Sequence, residues 1–204
     1  MSWDFSLLDP VSNKTLELPM AHMMTGGIYR AEYDKEHDEF FPAKIKDAWL
    51  NVTYNYSPYY YEASKNDYRF YITDRDTEKY VDNNTDLSKC IHYGIRCLNN
   101  RSGVESVNML NTLINNINKK YKHNDEWITS KKEVLHKKDI YGNEFNCYHK
   151  QYIDIDSEPY KKVIDWYEGK NNNYWIPTAA NALSPLIELR IMAELRPDGI
   201  WRVE

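Results

Sequence analysis

Residues 103–121 carry the pattern that most restricts how this chain can fold, because they fit little other than an amphipathic α-helix. Apolar side chains recur three or four positions apart, which places them on one face of a helix. They are Val104, Val107, Leu110, Leu113, Ile114, Ile117 and Tyr121. Ser102 and Glu105 stand at the start with capping-box spacing, in which the hydroxyl and the carboxylate satisfy the first free backbone amides. We therefore predict a long helix whose apolar face packs on the core.

Alternating apolar and polar residues predict an antiparallel sheet for this helix to cover. Residues 3–8 and 15–18 alternate in this way, and the turn-forming residues 9–13 between them indicate an opening hairpin. Residues 48–54 form the clearest strand, and we expect all three segments in one sheet. The apolar face of that strand would carry Ala48, Leu50, Val52 and Tyr54, and the other face Trp49, Asn51, Thr53 and Asn55.

Turn signals divide much of the remaining chain into short elements. Residues 68–72 favour another strand, and residues 134–155 favour a β-hairpin that turns at Gly142 and Asn143. Residues 157–167 favour a short helix, because their apolar side chains recur at helical spacing after a Ser-Glu-Pro start.

A final helix is predicted over residues 178–195. Pro185 lies inside it, so either the helix kinks there or Ser184 caps a fresh segment that begins with the proline. Residues 196–201 end the helix and turn the chain into an extended stretch that lets Trp201 pack.

Length and composition fit a single α+β domain. The 204 residues are enough to bury one core, and hydrophobic residues at 42% with charged residues at 28% are ordinary globular values. We expect one compact domain over residues 1–204, in which an antiparallel sheet packs against two main helices, at 103–121 and 179–195.

Charge and hydropathy argue against two broad classes of partner. A formal net charge of −5 disfavours a general nucleic-acid binder, which would display a basic face. No stretch approaches the roughly 18 apolar residues that a membrane helix needs. The chain begins Met-Ser-Trp-Asp without a charged and apolar leader, and its three cysteines are an odd number. We therefore expect a protein of the cytosol with free thiols.

Four blocks of sequence touch both ends and the middle of the chain. They are Thr25-Gly-Gly-x-Tyr29; Leu50-Asn-Val-Thr-Tyr-Asn-Tyr-Ser57; Gly94-Ile-Arg96 with Gly103-x-Glu105-Ser; and Tyr174-Trp-x-Pro-Thr-x-x-Asn-Ala-Leu183 with Arg196-Pro-Asp-Gly-Ile-Trp201. In order and spacing these blocks resemble a family of small, mostly uncharacterised proteins of bacteriophages and of bacterial genomes near mobile elements.

The resemblance implies a phage or prophage origin, a host-cell cytosol as the compartment and a small α+β domain. Members of the family are typically shorter than this chain. Residues 31–47, 62–92 and 125–168 would therefore be hairpin and loop segments inserted on a compact core. The resemblance implies no established activity, so it assigns no catalytic residue to this chain.

Familiar signatures of enzymes are missing from the sequence, which has no G-x-S-x-G elbow, Walker loop, G-x-G-x-x-G or H-E-x-x-H. We therefore lean away from catalysis and predict no cofactor. Cys90-Ile-His92, Cys97 and Cys147-Tyr-His149 could complete a tetrahedral zinc site if the two segments met. Cys-x-x-Cys spacing is missing, however, so we prefer structural thiols and predict no metal.

The polar face of the strand at 48–54, together with the tyrosines just beyond it, is the best candidate for a binding site. Amides and phenols beside stacking rings suit a planar polar ligand such as a nucleobase. The predicted ligand-binding residues are Asn51, Thr53, Asn55, Tyr56, Tyr59, Tyr60 and Arg196. Arg196, like Arg96 and Arg190, could contact phosphate through its guanidinium fork. The alternative is a sheet face covered by insertions, with its polar groups paired internally.

These features favour a non-catalytic binding protein of phage type, a monomer or a homo-oligomer, that acts against or alongside a bacterial defence pathway. It would sequester a nucleotide-like signal or a host defence protein. One alternative is an enzyme acting on a phosphorylated or nucleotide substrate, with His22, His92 or His149 beside a carboxylate or a metal. Another is a structural or assembly protein of the phage particle.

Overall fold

Within the residues that the structure describes, three α-helices and several small antiparallel sheets make up the fold, which confirms the α+β class. The computed structural model describes residues 2–22, 31–42, 45–147 and 155–204. The predicted Thr25-Gly-Gly-x-Tyr29 block, His149 and the end of the predicted hairpin at 134–155 lie outside these residues.

The helices and strands carry the following bounds. The helices are α1 (Ser57–Ser64), α2 (Gly103–Tyr121) and α3 (Ala179–Leu195). The strands of the first half are β1 (Ser2–Leu8), β2 (Glu17–His22), β3 (Ala31–Asp34), β4 (Glu39–Pro42), β5 (Ile45–Asp47), β6 (Trp49–Thr53), β7 (Tyr71–Asp74), β8 (Lys79–Tyr80) and β9 (Ile91–His92). Those of the second half are β10 (Lys122–His123), β11 (Glu126–Trp127), β12 (Thr129–Lys138), β13 (Glu144–Asn146), β14 (Tyr160–Tyr167) and β15 (Ile200–Val203).

The central sheet has the order β15-β1-β6, with both pairings antiparallel. Its middle strand, β1, and the predicted strand β6 are confirmed. Residues 15–18 were expected in the same sheet, and that prediction is wrong. The partner of β1 at Ser2–Ser6 is β6. The segment that returns from the opening turn therefore meets β1 only at the bridge between Leu8 and Thr15. The chain then continues into β2, which pairs with β5.

The predicted long helix is confirmed as α2, complete with its capping box. Ser102 Oγ accepts from the Glu105 amide at 3.3 Å, and the Ser102 amide donates to Glu105 Oε2 at 2.9 Å. Gly103 permits a close approach to the end of α3, since a Cβ atom there would lie 2.5 Å from the Arg196 oxygen. The indole of Trp201 donates to Ser106 Oγ at 2.8 Å and is fully buried, as the sequence predicted for this stretch.

The predicted final helix is a single element. Thr178 caps α3, its Oγ1 accepting from the Asn181 amide at 3.1 Å. Pro185 is buried inside the helix, so Ser184 does not begin a fresh segment.

The short helix expected over 157–167 is wrong, because residues 160–167 form strand β14 instead. This strand pairs with β12 along all eight of its residues. In a strand, Ile164 and Trp166 share one face, which packs with Val134. Val163, one of the residues that suggested helical spacing, is 63% exposed. Hydrogen bonds to a neighbouring strand, rather than local spacing, decided this segment.

The other two predicted elements are confirmed in part. The hairpin that contains β12 and β13 turns at residues 139–143, where Gly142 has a φ of 82°. Residues 68–72 begin with a 3-10 turn at Tyr68–Phe70, and only then enter β7.

Among the described residues, the buried apolar side chains form one large cluster and one small one. The large cluster joins the central sheet to the three helices, and the small one lies beneath β12 and β14 with Val134, Trp166 and Ile176. Among the described helices, none is long and apolar enough to span a bilayer.

Removing the helix cap should destabilise the fold. Ser102→Ala deletes the acceptor of the Glu105 amide, so we expect the free energy of unfolding in urea to fall by about 1 kcal/mol. Ser184→Ala, on the exposed side of α3, is the matched control and should change it by less than about 0.5 kcal/mol. Equal effects would show that the capping box does not hold the start of α2.

The same cap should make stability depend on pH. Hydrogen bonds from the Ser102 amide, and then from its hydroxyl, lower the pKa of Glu105 below its usual 4.5. A carboxyl group with a lowered folded-state pKa stabilises the fold above its unfolded pKa, and this contribution is lost as the pH falls through the folded pKa. Glu105→Gln lacks it, so the difference in unfolding free energy between wild type and variant should shrink from about pH 6 to pH 3.

Candidate functional site

The predicted polar strand face is buried and bonded within the chain. Asn51 Nδ2 donates to Ser2 Oγ at 2.8 Å and to Asp4 Oδ1 at 2.7 Å. Thr53 is fully buried, and its Oγ1 accepts from the Asn55 amide at 3.3 Å at the start of a 3-10 turn. This face of β6 is therefore not an open platform. A ligand-binding role for these residues stays a prediction that their burial does not support.

The predicted aromatic run clamps the start of α3. Four polar side chains among residues 55–60 each donate to a backbone oxygen within residues 174–182. The bonds run from Asn55 Nδ2 to Trp175 (2.8 Å), from Tyr56 to Tyr174 (2.5 Å), from Tyr59 to Pro177 (2.7 Å) and from Tyr60 to Ala182 (2.9 Å). Burial raises the pKa of both the Tyr56 and the Tyr60 phenol, which keeps them protonated as donors. The four donors thus hold together two segments that are far apart in sequence.

Glu168 lies at the centre of a buried polar network behind this clamp. This residue comes directly after β14 and is only 2% exposed. The carboxylate accepts from Ser130 Oγ at 2.6 Å and from the Ala179 amide at 2.9 Å. It also lies 2.6 Å from the Tyr59 hydroxyl, whose single proton it shares with the Pro177 oxygen. Free amides at the start of a helix attract anions, and here Glu168 itself supplies the negative charge.

Lys132 completes the buried network from β12. Its ammonium group donates to the Pro177 oxygen at 2.9 Å and to the Tyr59 hydroxyl at 3.2 Å, and lies 4.6 Å from the centre of the Trp166 ring. Burial lowers the pKa of Lys132, and the negative charge of Glu168 opposes that change. A lysine with a lowered pKa close to a buried carboxylate is a common feature of catalytic sites. This centre is therefore a candidate for catalysis as well as a stabilising network.

A groove of about 560 Å³ opens between α1 and α2, with Tyr59 closing its inner end. The rings of Tyr59 and Tyr121 meet edge to face with centroids 5.3 Å apart. Tyr121 remains partly exposed, and burial raises the pKa of its phenol. The lining residues are Tyr59, Glu62, Ala63, Lys65, Asn66, Asp67, Asn116, Ile117, Lys119, Lys120 and Tyr121.

Cationic side chains outnumber anionic ones around this groove. Glu62 pairs with Lys120 at 2.9 Å. Asp67 accepts from the Arg69 guanidinium, which neutralises the second carboxylate of the rim. Lys65 and Lys119 form no ion pair with any residue that the structure describes. Two ammonium groups therefore remain available at the rim.

The residues weighed as a zinc site, and not preferred as one, include His149, which lies outside the described residues. His92 stacks on Tyr71 and lies 2.8 Å from Ser64 Oγ, whereas Cys147 follows β13 and its amide donates to the Leu135 oxygen. Burial raises the pKa of the Cys97 thiol to about 12. The three cysteines are free thiols, and within the described ranges no three His, Cys, Asp or Glu residues cluster as metal ligands would.

The three predicted phosphate-binding arginines lie away from the groove. Arg196 forms a forked pair with Asp198 at 3.2 and 3.0 Å. Arg190 reaches Asn111 at 3.3 Å, and Arg96 lies 4.2 Å from the centre of the Tyr93 ring. Of the histidines in the enzymatic alternative, His22 bonds to the Asp47 oxygen at 2.9 Å.

Sequence reasoning missed Glu168, Lys132 and the groove, and found only Tyr59. The helical spacing places Tyr121 on the apolar face of the predicted helix. Lys119 and Lys132 lie in a lysine-rich stretch, residues 119–138, and such charge runs are usually solvated surface. No local signal distinguishes these side chains, since only the packing of α1, α2 and β12 brings them near Tyr59.

Removing the buried carboxylate should destabilise the protein strongly. Glu168→Ala leaves the Ala179 amide without its acceptor and takes from the half-buried Lys132 ammonium the carboxylate that favours its charge. We therefore expect a loss of about 3–5 kcal/mol in the free energy of unfolding, measured in urea at neutral pH. The exposed Glu158→Ala is the control, with an expected change under about 0.5 kcal/mol. A loss below about 1 kcal/mol for Glu168→Ala would contradict this role.

Comparisons of the chain with known protein families, with curated proteins and with solved structures found no match. The resemblance to phage proteins therefore stays a prediction from the sequence blocks. Function must be argued from the groove and from the network behind it.

Proposed function

We propose that this chain is a non-catalytic binding protein that holds a nucleotide-like anion in the groove between α1 and α2. One observation carries the proposal: a partly exposed tyrosine ring and free lysine ammonium groups surround the same hollow. A planar base with an attached phosphate offers the complementary ring and charge.

The aromatic end of the groove favours a planar group. Tyr121 presents part of its ring, and Tyr59 supports that ring from the side. The hydroxyl of Tyr59 is held by Glu168 and by the Pro177 oxygen, so its ring does not need to be ordered when a ligand arrives. A wall ordered in advance lowers the entropic cost of binding.

The rim of the groove favours phosphate. Lys65 and Lys119 can place ammonium groups on phosphate oxygens, which lysine contacts as a compact point charge. Asn66 has an exposed side-chain amide, which can both donate to and accept from the edge of a base. Asn116 also lines the groove, but its amide already donates to the Ala63 oxygen at 2.7 Å.

Sequestration is the mode of action that fits such a site. A tight binder lowers the free concentration of its ligand by mass action, without any chemical step. The resemblance to phage proteins supports a role in the host cytosol against a bacterial defence pathway that signals through a nucleotide. A host defence protein is the alternative target in the same setting.

An enzyme acting on the same class of ligand is the second candidate, and Lys132 favours it. Its lowered pKa and its position beside Tyr59 are what a general base or a nucleophilic amine needs. Turnover distinguishes the two functions, because a sequestering protein releases its ligand intact on denaturation, whereas an enzyme releases product. Mass spectrometry of small molecules released from heat-denatured purified protein makes this distinction.

Calorimetric titration with adenosine diphosphate and with adenosine tests the proposed site. We expect saturable binding of the diphosphate, and weaker binding of the nucleoside, which lacks the group that the lysines contact. Lys65→Glu combined with Lys119→Glu should weaken diphosphate binding at least about tenfold. The melting temperature should stay nearly unchanged, because both side chains are exposed.

Lys14→Glu combined with Lys170→Glu is the matched control. It changes the net charge equally at two exposed lysines outside the groove, and it should leave the affinity within about twofold. If both double variants weakened binding equally, the effect would come from the overall charge of the protein and not from the groove. The groove proposal fails if the diphosphate does not bind and no nucleotide is released from the purified protein.

A further inference from the structure

Strand β14 has a free edge in the part of the chain that the structure describes. It pairs with β12 on one side, and no described strand lies on the other. A free edge displays backbone N–H and C=O groups that can pair with another strand. At eight residues, β14 is long enough for such pairing.

The phase of the ladder shows which residues face that edge. The Glu168 amide donates to the Ile128 oxygen at 3.0 Å, next to the regular pairing of β14 with β12. Backbone groups of alternate residues point to opposite sides of an antiparallel strand. The even-numbered residues therefore bond to β12, whereas Lys161, Val163 and Asp165 direct their backbone groups to the free edge.

The side chains of these three residues also share the exposed face of the sheet. Val163 is 63% exposed. The side chains of Lys161 and Asp165 are 70% and 68% exposed, although each has an ion-pair partner on β12. An exposed valine thus lies between a cation and an anion at equal distances along the strand.

We propose that two copies of this chain form a dimer by antiparallel pairing of their β14 strands about a two-fold axis at Val163. In that register Lys161 of each copy lies opposite Asp165 of the partner subunit, and the two valines face each other. About six backbone hydrogen bonds form among these residues. Opposite charges directly across a strand pair are stabilising.

Other registers that use the same backbone groups are unfavourable. A two-fold axis at Lys161 or at Asp165 would set like charges directly opposite each other, which destabilises a strand pair. Registers between these place both Lys161 and Asp165 opposite uncharged residues, so neither charge gains a partner across the pair. The charge pattern therefore selects the pairing at Val163.

The dimer would continue an alternation of charge that already exists within each copy. Asp165 pairs with Lys131 at 2.6 Å, and Lys161 pairs with Glu133 at 2.8 Å. Pairing through β14 would create a six-stranded sheet and cover Val163. No lining residue of the groove lies on β14, so this inference does not depend on the proposed ligand.

Sedimentation equilibrium of the full chain tests the proposal, with an expected mass twice that of the 24.3 kDa monomer. Asp165→Lys sets lysine against lysine across the axis and should raise the dimer dissociation constant at least about tenfold. Lys161→Asp combined with Asp165→Lys restores opposite charges and should restore the dimer. Glu133→Gln removes only a partner within the chain and should leave the dimer intact.

A cysteine at the axis provides an independent test. Cα atoms of a hydrogen-bonded antiparallel pair are about 5.5 Å apart, within the range of a disulfide. Val163→Cys should therefore form a covalent dimer on mild oxidation, whereas wild type, with its own three cysteines, and Leu135→Cys on the second strand should not. A monomer at all concentrations, or a dimer that survives Asp165→Lys and does not cross-link through Val163→Cys, would overturn the proposal.

Discussion

The buried carboxylate of Glu168 is the interaction on which the rest of the structure depends. A charge removed from water is tolerated only where hydrogen-bond donors and a cation surround it. The donors come from three separate elements, through Tyr59 of α1, Ser130 of β12 and the Ala179 amide at the start of α3. Lys132 lies close by. One side chain therefore connects the sheet of β12, β13 and β14 to the helices, and its negative charge compensates the free amides of the last helix.

This arrangement also explains why the groove has a rigid inner wall. Tyr59 belongs both to the polar network and to the groove, so its ring cannot turn away without giving up the hydrogen bond that its hydroxyl shares between Glu168 and the Pro177 oxygen. The adaptable parts of the groove are the exposed lysines at its rim. Tyr59 therefore both stabilises the fold and lines the groove, whereas the lysines at the rim are exposed.

Local patterns predicted the elements whose stabilising contacts are themselves local. The capping box of α2 involves only Ser102 and Glu105, and it forms as expected. Strand β6 was readable from its alternation, although both of its faces are buried. Strand β14 was misread as a helix, because its apolar residues satisfy helical spacing as well as alternation. The deciding interactions are hydrogen bonds to β12, which begins about thirty residues earlier, and these leave no trace in the local sequence.

In the candidate site, too, some features follow from local sequence and others only from the tertiary structure. The sequence by itself determined the α+β class, the long capped helix and an unusual run of polar aromatic side chains at residues 55–60. Only the tertiary structure decided what that run does, since its donors meet backbone oxygens more than a hundred residues away. The tertiary structure also decided the role of Lys132 and Glu168. In the sequence they look like ordinary surface charges, but the fold places both side chains in contact with Tyr59 of α1. A hydrogen bond needs its partner within about 3 Å, and distance along a chain does not reveal distance in space.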